Sequence, residues 1–283
     1  MSSPMPSYDI TRPRFRLSDE HVIVLTELAT GQLAPEGYIS ARDELRRCGL
    51  LSGADTLSVL LLPVMQTLIN PVVVLSLEAT GRQGTLNHGL IIGQDHVVVH
   101  QSWPGEREAE YALAEPRMMV WALANMVGLQ QSATVVEGGP ALVETTMGTL
   151  EKGMESVADV PAAASREQER EHIRAALAST RSLDEPALAR CAELIGELRS
   201  SWRLTAAWRG RDGDENGVTA RGFGIWDCGP LGYWQRELPA EPIAPGQVGP
   251  ESQVRLARTD AKRIWAMITD LLPAENEIRH VGR

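Results

Sequence analysis

The sequence predicts an α+β protein with a central mixed or antiparallel β-sheet flanked by helical bundles, built as two halves related by a pseudo-twofold axis. Val72–Leu129 and Arg203–Leu272 both run strand, turn, strand, strand and then a helix with a central tryptophan. Helical patterns precede each of these units, so each half reads β-α-α-α-β-β-β-α with a boundary near Gln130. Three or four strands per half pack better in one continuous sheet than in two sheets with open edges. Residues 1–10 read as a mobile tail, and 11–129 and 130–283 as two half-repeats of one globular domain.

In the first half, RPRFRL forms a short strand, and Ser18 before Asp19 and Glu20 caps a helix over 18–30. SARDELRRCGLL, capped by Ser40, places Leu45 and Cys48 on one helical face, and Gly49 loosens its end. A third helix starts after Asp55 and runs through Pro63, which kinks it. The strands VVVLSLEA, TLNHGLII and HVVVHQ follow, the first two joined by the turn TGRQG, and PRMMVWALANMVGL closes the half around Trp121.

In the second half, SATVV (132–136) reads as a strand, and a helical pattern runs from Pro140 to about Lys152. Ser165 and Gln168 have capping-box spacing at the head of the next helix, and LDEPALARCAELIGELRSSW carries Leu188, Cys191, Leu194, Ile195 and Leu198 at helical spacing. RLTAAWRG, the turn RDGDENG, VTARGFGIW and YWQREL repeat the strand unit, and DAKRIWAMITDLL repeats the helix around Trp265. The stretch 239–253, rich in Pro and Gly, reads as an exposed loop.

With 27 basic and 37 acidic residues the chain carries a net charge of −10, which argues against a general nucleic-acid or anionic-membrane binder. Only Lys152 and Lys262 are lysines, a bias to which no mechanism attaches. Cys48, Cys191 and Cys228 form neither a CxxC pair nor an even set, which points to a reducing compartment rather than a disulfide framework. The N-terminus lacks the apolar core of a signal peptide, and the apolar run near Val59–Met65 is far short of the ~20 residues that span a bilayer. A cytoplasmic protein is expected.

Candidate chemistry is thin. His88, His96 and His100 lie close in sequence, but no carboxylate or cysteine joins them at ligand spacing, so polar sheet-face histidines are the simpler account of them than a metal site. RDGDEN (211–216) resembles the start of a calcium loop, yet the twelfth position is Phe223 and both flanks read as strands. The paired glycines at Gly81/Gly84 and Gly213/Gly217 open strands rather than helices, which is not a phosphate cradle. Cys228 in IWDCGPLGYW is the one candidate nucleophile, with His280 as its only downstream base; a cysteine-dependent hydrolase around it is the enzymatic alternative, a structural turn cysteine the simpler one. No cofactor is expected.

Aromatic residues crowd the second half at Trp202, Trp208, Trp226, Tyr233 and Trp234. Trp226 alternates with Gly224 and Gly222, which leaves a flat strip beside one indole and near Arg221, a composition suited to a protein partner. Core tryptophans beneath flanking helices are the other reading.

The element order, the duplicated half, the helices ending VWALANMVGL and RIWAMITDLLP, and the hairpin GIWDCGPLGYWQREL together resemble the EspG proteins of actinobacterial type VII (ESX) secretion systems. That resemblance implies a central sheet flanked by helical bundles and a cytosolic chaperone without catalysis or cofactor. It implies a helical client, typically a PE–PPE heterodimer, held at an apolar helical tip and kept soluble. It also implies a client contact at the loop Ala79–Thr85, centred on Arg82 and Gln83, which is short in this chain. Gly81, Arg82, Gln83, Arg221, Trp226 and Trp234 are therefore the expected partner-binding residues of a monomer or weak homodimer, a self-associating structural subunit being a further alternative.

Overall fold

The computed structural model describes residues 6–9, 11–129, 138–161, 164–210, 217–237 and 247–278. The first half runs β1 (Ser7–Asp9), β2 (Arg14–Ser18), α1 (Asp19–Ala29), α2 (Ile39–Arg47), α3 (Leu62–Ile69), β3 (Val73–Gly81), β4 (Gly84–Ile92), β5 (Val97–Gln101), β6 (Glu108–Ala114) and α4 (Met119–Met126). The second half runs β7 (Leu142–Thr146), α5 (Met147–Ser156), α6 (Arg166–Ala178), α7 (Glu185–Gly196), β8 (Ser200–Arg209), β9 (Val218–Asp227), β10 (Tyr233–Glu237), β11 (Gln253–Thr259) and α8 (Ala261–Asp270).

All of these strands form one sheet in the order β1-β2-β6-β5-β4-β3-β8-β9-β10-β11-β7. Every neighbouring pair is antiparallel. Outward from the centre, β3, β4, β5, β6 and β2 on one side answer β8, β9, β10, β11 and β7 on the other. The halves join where β3 pairs with β8, from Val73 opposite Trp208 to Gly81 opposite Ser200, and Leu77 opposite Leu204 marks the dyad. The capping residues repeat as well: Ser18 ends β2 and caps α1, and Thr146 ends β7 and caps α5, each accepting from a backbone N–H three residues on.

Several expectations are corrected. Each half has four strands after its three helices, because Glu108–Ala114 and Gln253–Thr259 also pair into the sheet. Leu142–Thr146, expected within a helix, is strand β7; Val143, Thr145 and Thr146 are β-branched, and pairing with β11 satisfies the backbone that a helix would otherwise have bonded. The strand expected at 132–136 lies outside the described residues. Ser7–Asp9, expected in the tail, pairs with β2. Pro63 does not kink α3: it sits in the first turn, where its missing N–H costs nothing. Ser40 lies inside α2 rather than at its cap. Ser18 caps α1 and the capping box at Ser165 forms as the spacing predicts; at Ser18 the structure adds a box that was not expected, with His21 in place of the usual Glu or Gln.

The two sheet faces are covered differently. Beneath α4 and α8, one face buries Leu75, Leu77, Leu204, Ala206 and Ile225 against Leu123, Ile264 and Ile268. A fully buried leucine of this kind contributes about 1.5–3 kcal/mol. On the opposite face, α1–α3 cover one end, where Phe15, Val98 and Tyr111 are buried, and α5–α7 cover the other over Val143, Trp234 and Leu256. The middle of that second face carries no helix.

Candidate docking face

The uncovered region is floored by β4, β3, β8 and β9, about 15 Å across at ordinary strand spacing. An α-helix with side chains is about 10 Å wide, so the trough between the helical bundles admits a helix or the tip of a helical pair. Side chains alternate along a strand and directly paired residues share a face, so the floor carries Val74, Ser76 and Glu78 beside Ala207, Thr205 and Arg203. Val74 is 36% exposed, and Val218 on the β9 margin is 67% exposed, so the floor offers apolar contact as well as charge.

One cross-strand row stands out: Asn87, Glu78, Arg203, Gly224 and Arg236 lie opposite one another across β4, β3, β8, β9 and β10. Gly224 is not forced by crowding. A Cβ there would meet the Trp202 carbonyl oxygen at 3.7 Å and Arg236 Cβ at 3.8 Å, both ordinary contacts. Among the described residues neither arginine reaches a carboxylate; Arg236 Nη2 lies 3.0 Å from Met147 Sδ. Burial disfavours the charge on Arg236, the like charge of Arg203 adds to this, and Glu151 opposes both more weakly.

The expected site residues separate. Arg82 and Gln83 form the exposed two-residue tip of the β3–β4 hairpin between paired Gly81 and Gly84, and Gly84 takes φ +93°. Trp226 and Trp234 do lie on the trough side of the sheet, but at 7% and 1% exposure they are core beneath α5–α7, and Trp234 Nε1 donates to the Leu231 carbonyl at 3.1 Å. Arg221 is on the opposite face. Its guanidinium stacks 4.7 Å from the Trp208 ring centre and pairs with Glu277 at 2.8 Å. The pattern of glycines beside Trp226 does mark an open strip, but the strip is Gly222 and Gly224 without the indole. Arg203 and Arg236 were not singled out from the sequence, because only the register of β8, β9 and β10 places them in one row.

The enzymatic alternative loses its nucleophile. Cys228 is fully buried and burial pushes its thiol far above the usual range, with Asp227 adding to the shift; His280 lies outside the described residues. A thiol held protonated and sealed from solvent does not attack. His88 and His100 point to opposite faces, since Gly89 rather than His88 pairs with His100; His100 stacks on Tyr111 at 5.0 Å, and His96 precedes β5. Among the described residues no three His, Cys, Asp or Glu side chains gather as a metal site. The calcium reading at 211–216 falls outside those residues. No described helix is long and apolar enough to cross a membrane.

The described strands thus form a single antiparallel sheet with a helical bundle at each end and a helix pair at its dyad. The chain is similar to EspG5, the Mycobacterium tuberculosis type VII secretion system chaperone, whose structure was solved in complex with the PE25–PPE41 dimer. The match has a TM-score of 0.53 and covers 94% of this chain and 100% of that one at 9% sequence identity. The EspG-like fold expected from the sequence is therefore present. No family model and no curated protein sequence matches the chain.

Proposed function

We propose that this protein is a cytoplasmic chaperone of the EspG kind, which holds a helical type VII secretion substrate of the PE–PPE class and keeps it soluble. The observation that carries the reading is the open trough between the two helical bundles, in a fold shared over 94% of the chain with a chaperone solved on a helical dimer. The trough combines apolar floor residues with the exposed Arg82–Gln83 tip at one end of the central strand pair, where Gly81 faces Ser200.

The energetics suit a reversible holder. Burying apolar surface returns about 25 cal/mol per Å², and association costs several kcal/mol before any affinity appears, so a mostly polar floor gives moderate binding. The net charge of −10 keeps the loaded complex dispersed.

The test is purification of the tagged protein from its host cytosol with mass spectrometry of what accompanies it. A PE–PPE pair in stoichiometric amount supports the proposal. Recovery of general chaperones alone, or of nothing, removes it.

A further inference from the structure

We propose that Arg203, Gly224 and Arg236 form a notch in the trough floor that receives one acidic side chain, Asp or Glu, from a helical client. The inference deepens the chaperone reading and rests on it for the identity of the occupant. In the row across the sheet the two arginines sit on strands either side of Gly224, two strand spacings or about 10 Å apart. Between them there is no side chain at all. A carboxylate entering over Gly224 has one guanidinium on each flank, the arrangement that gives charge-assisted and bidentate hydrogen bonds.

The other half of the sheet supplies an internal comparison. The pseudo-twofold axis carries Arg203 onto Ser76, Gly224 onto Gly89 and Arg236 onto His100, as the registers of β3, β4 and β5 require. The glycine gap is present in both halves. Only the second is basic: burial keeps His100 toward its neutral form, and Ser76 has no charge. The two halves thus share the register and the glycine but not the charge, which favours one orientation of a client whose own two ends differ.

The neighbouring charges leave the notch free. Glu78 stands opposite Arg203, yet no ion pair joins them among the described residues, and Glu151 approaches Arg236 from α5 with less effect than Arg203 has. Arginines toward the two ends of the sheet are engaged instead, Arg14 with Glu110 at 3.3 Å and Arg255 with Glu144 at 2.9 Å. Two arginines flanking one glycine, neither paired with a carboxylate among the described residues, on the floor of a protein of net charge −10, leave a place that a client's carboxylate would complete.

The experiment uses the full chain with arginine Nε–Hε signals followed by NMR. The probe is a stapled helical peptide of about 20 residues bearing one central Asp, with its Asn counterpart and N-acetyl-aspartate as controls. Expected is a saturable shift of Arg203 and Arg236 together, with the Asp peptide binding about tenfold tighter than the Asn peptide and tighter than N-acetyl-aspartate. Arg203→Gln, at an exposed position, should remove the tenfold preference. Gly224→Val should do the same by filling the gap while both charges remain, with far-UV circular dichroism confirming the fold of each variant. Equal binding of the Asp and Asn peptides, or N-acetyl-aspartate binding as tightly as the helix, overturns the proposal. Since neither peptide is a secretion substrate, that result stands apart from the outcome of the client purification.

Discussion

Trp121 and Trp265 meet edge to face, with ring centres 5.0 Å apart and planes at 77°. Trp121 lies in the first turn of α4 and Trp265 midway along α8, equivalent helices of the two halves, so the pair lies across the pseudo-twofold axis. Trp121 remains 47% exposed, which places the contact at the outer surface of the helix pair.

Removing either ring should therefore loosen the helix pair more than it empties the core. Trp121→Ala is expected to cost about 1–2 kcal/mol, and a double-mutant cycle with Trp265→Ala should return a coupling of about 1 kcal/mol. Urea unfolding of the two single variants and the double variant measures this. A coupling near zero would mean that the rings merely touch.

Arg82 and Arg221 should separate client affinity from stability. Arg82→Glu changes an exposed hairpin tip and is expected to lower client affinity at an unchanged melting temperature. Arg221→Glu sets a carboxylate against Glu277 on the other face, so the melting temperature should fall while affinity stays. Titration of the purified client and thermal unfolding of each variant check both halves of the statement.

The cysteines give a readout of opening. Cys48 is half-buried, whereas Cys191 and Cys228 are sealed, and burial pushes the Cys191 thiol up to about 12. Iodoacetamide should label Cys48 first, and Cys191 and Cys228 only at the rate of unfolding. Peptide mapping over time distinguishes the three. Rapid labelling of Cys228 in the native protein would restore it as a candidate nucleophile.

Stability should fall on mild acidification. Burial holds His21, His88 and His100 below the usual histidine range, while Glu44 partly offsets this at His21. Below a pH of about 6.5 the unfolded chain binds protons that the folded chain does not, so stability declines toward the lowered folded values, by up to about 1.4 kcal/mol per pH unit for each histidine. Glu108, raised by burial, acts in the opposite sense nearer the carboxylate range. In His21→Gln the capping partner is kept and one titrating group is lost; the slope of urea midpoint against pH between 6.5 and the lowered values should drop by about a third.

The repeat was legible because Trp121 and Trp265 mark equivalent helices and because the helix caps at Ser18 and Ser165 have local signatures. The strands β6 and β11 were not, since EAEYALA and QVRLART have too few β-branched or aromatic residues to stand out and are fixed by distant partners. The same distance hid most of the candidate site. Gly222 and Gly224 were visible as a flat strip, but the coverage of Trp226 by α5–α7 and the alignment of Arg203 and Arg236 in one row depend on packing and register, which no local pattern encodes.

The closing strands of the two halves also set an order in time. β2 pairs with β6, so every strand of the first half has been made once residue 114 emerges from the ribosome, and β3 then waits with one long edge unfilled. β7 is made early in the second half, yet its partner β11 ends only at Thr259, long after β7 itself. A nascent chain arrested between these points would display the inner edge of a half-sheet, and the strand that covers it, β8, would arrive before β7 has found its neighbour.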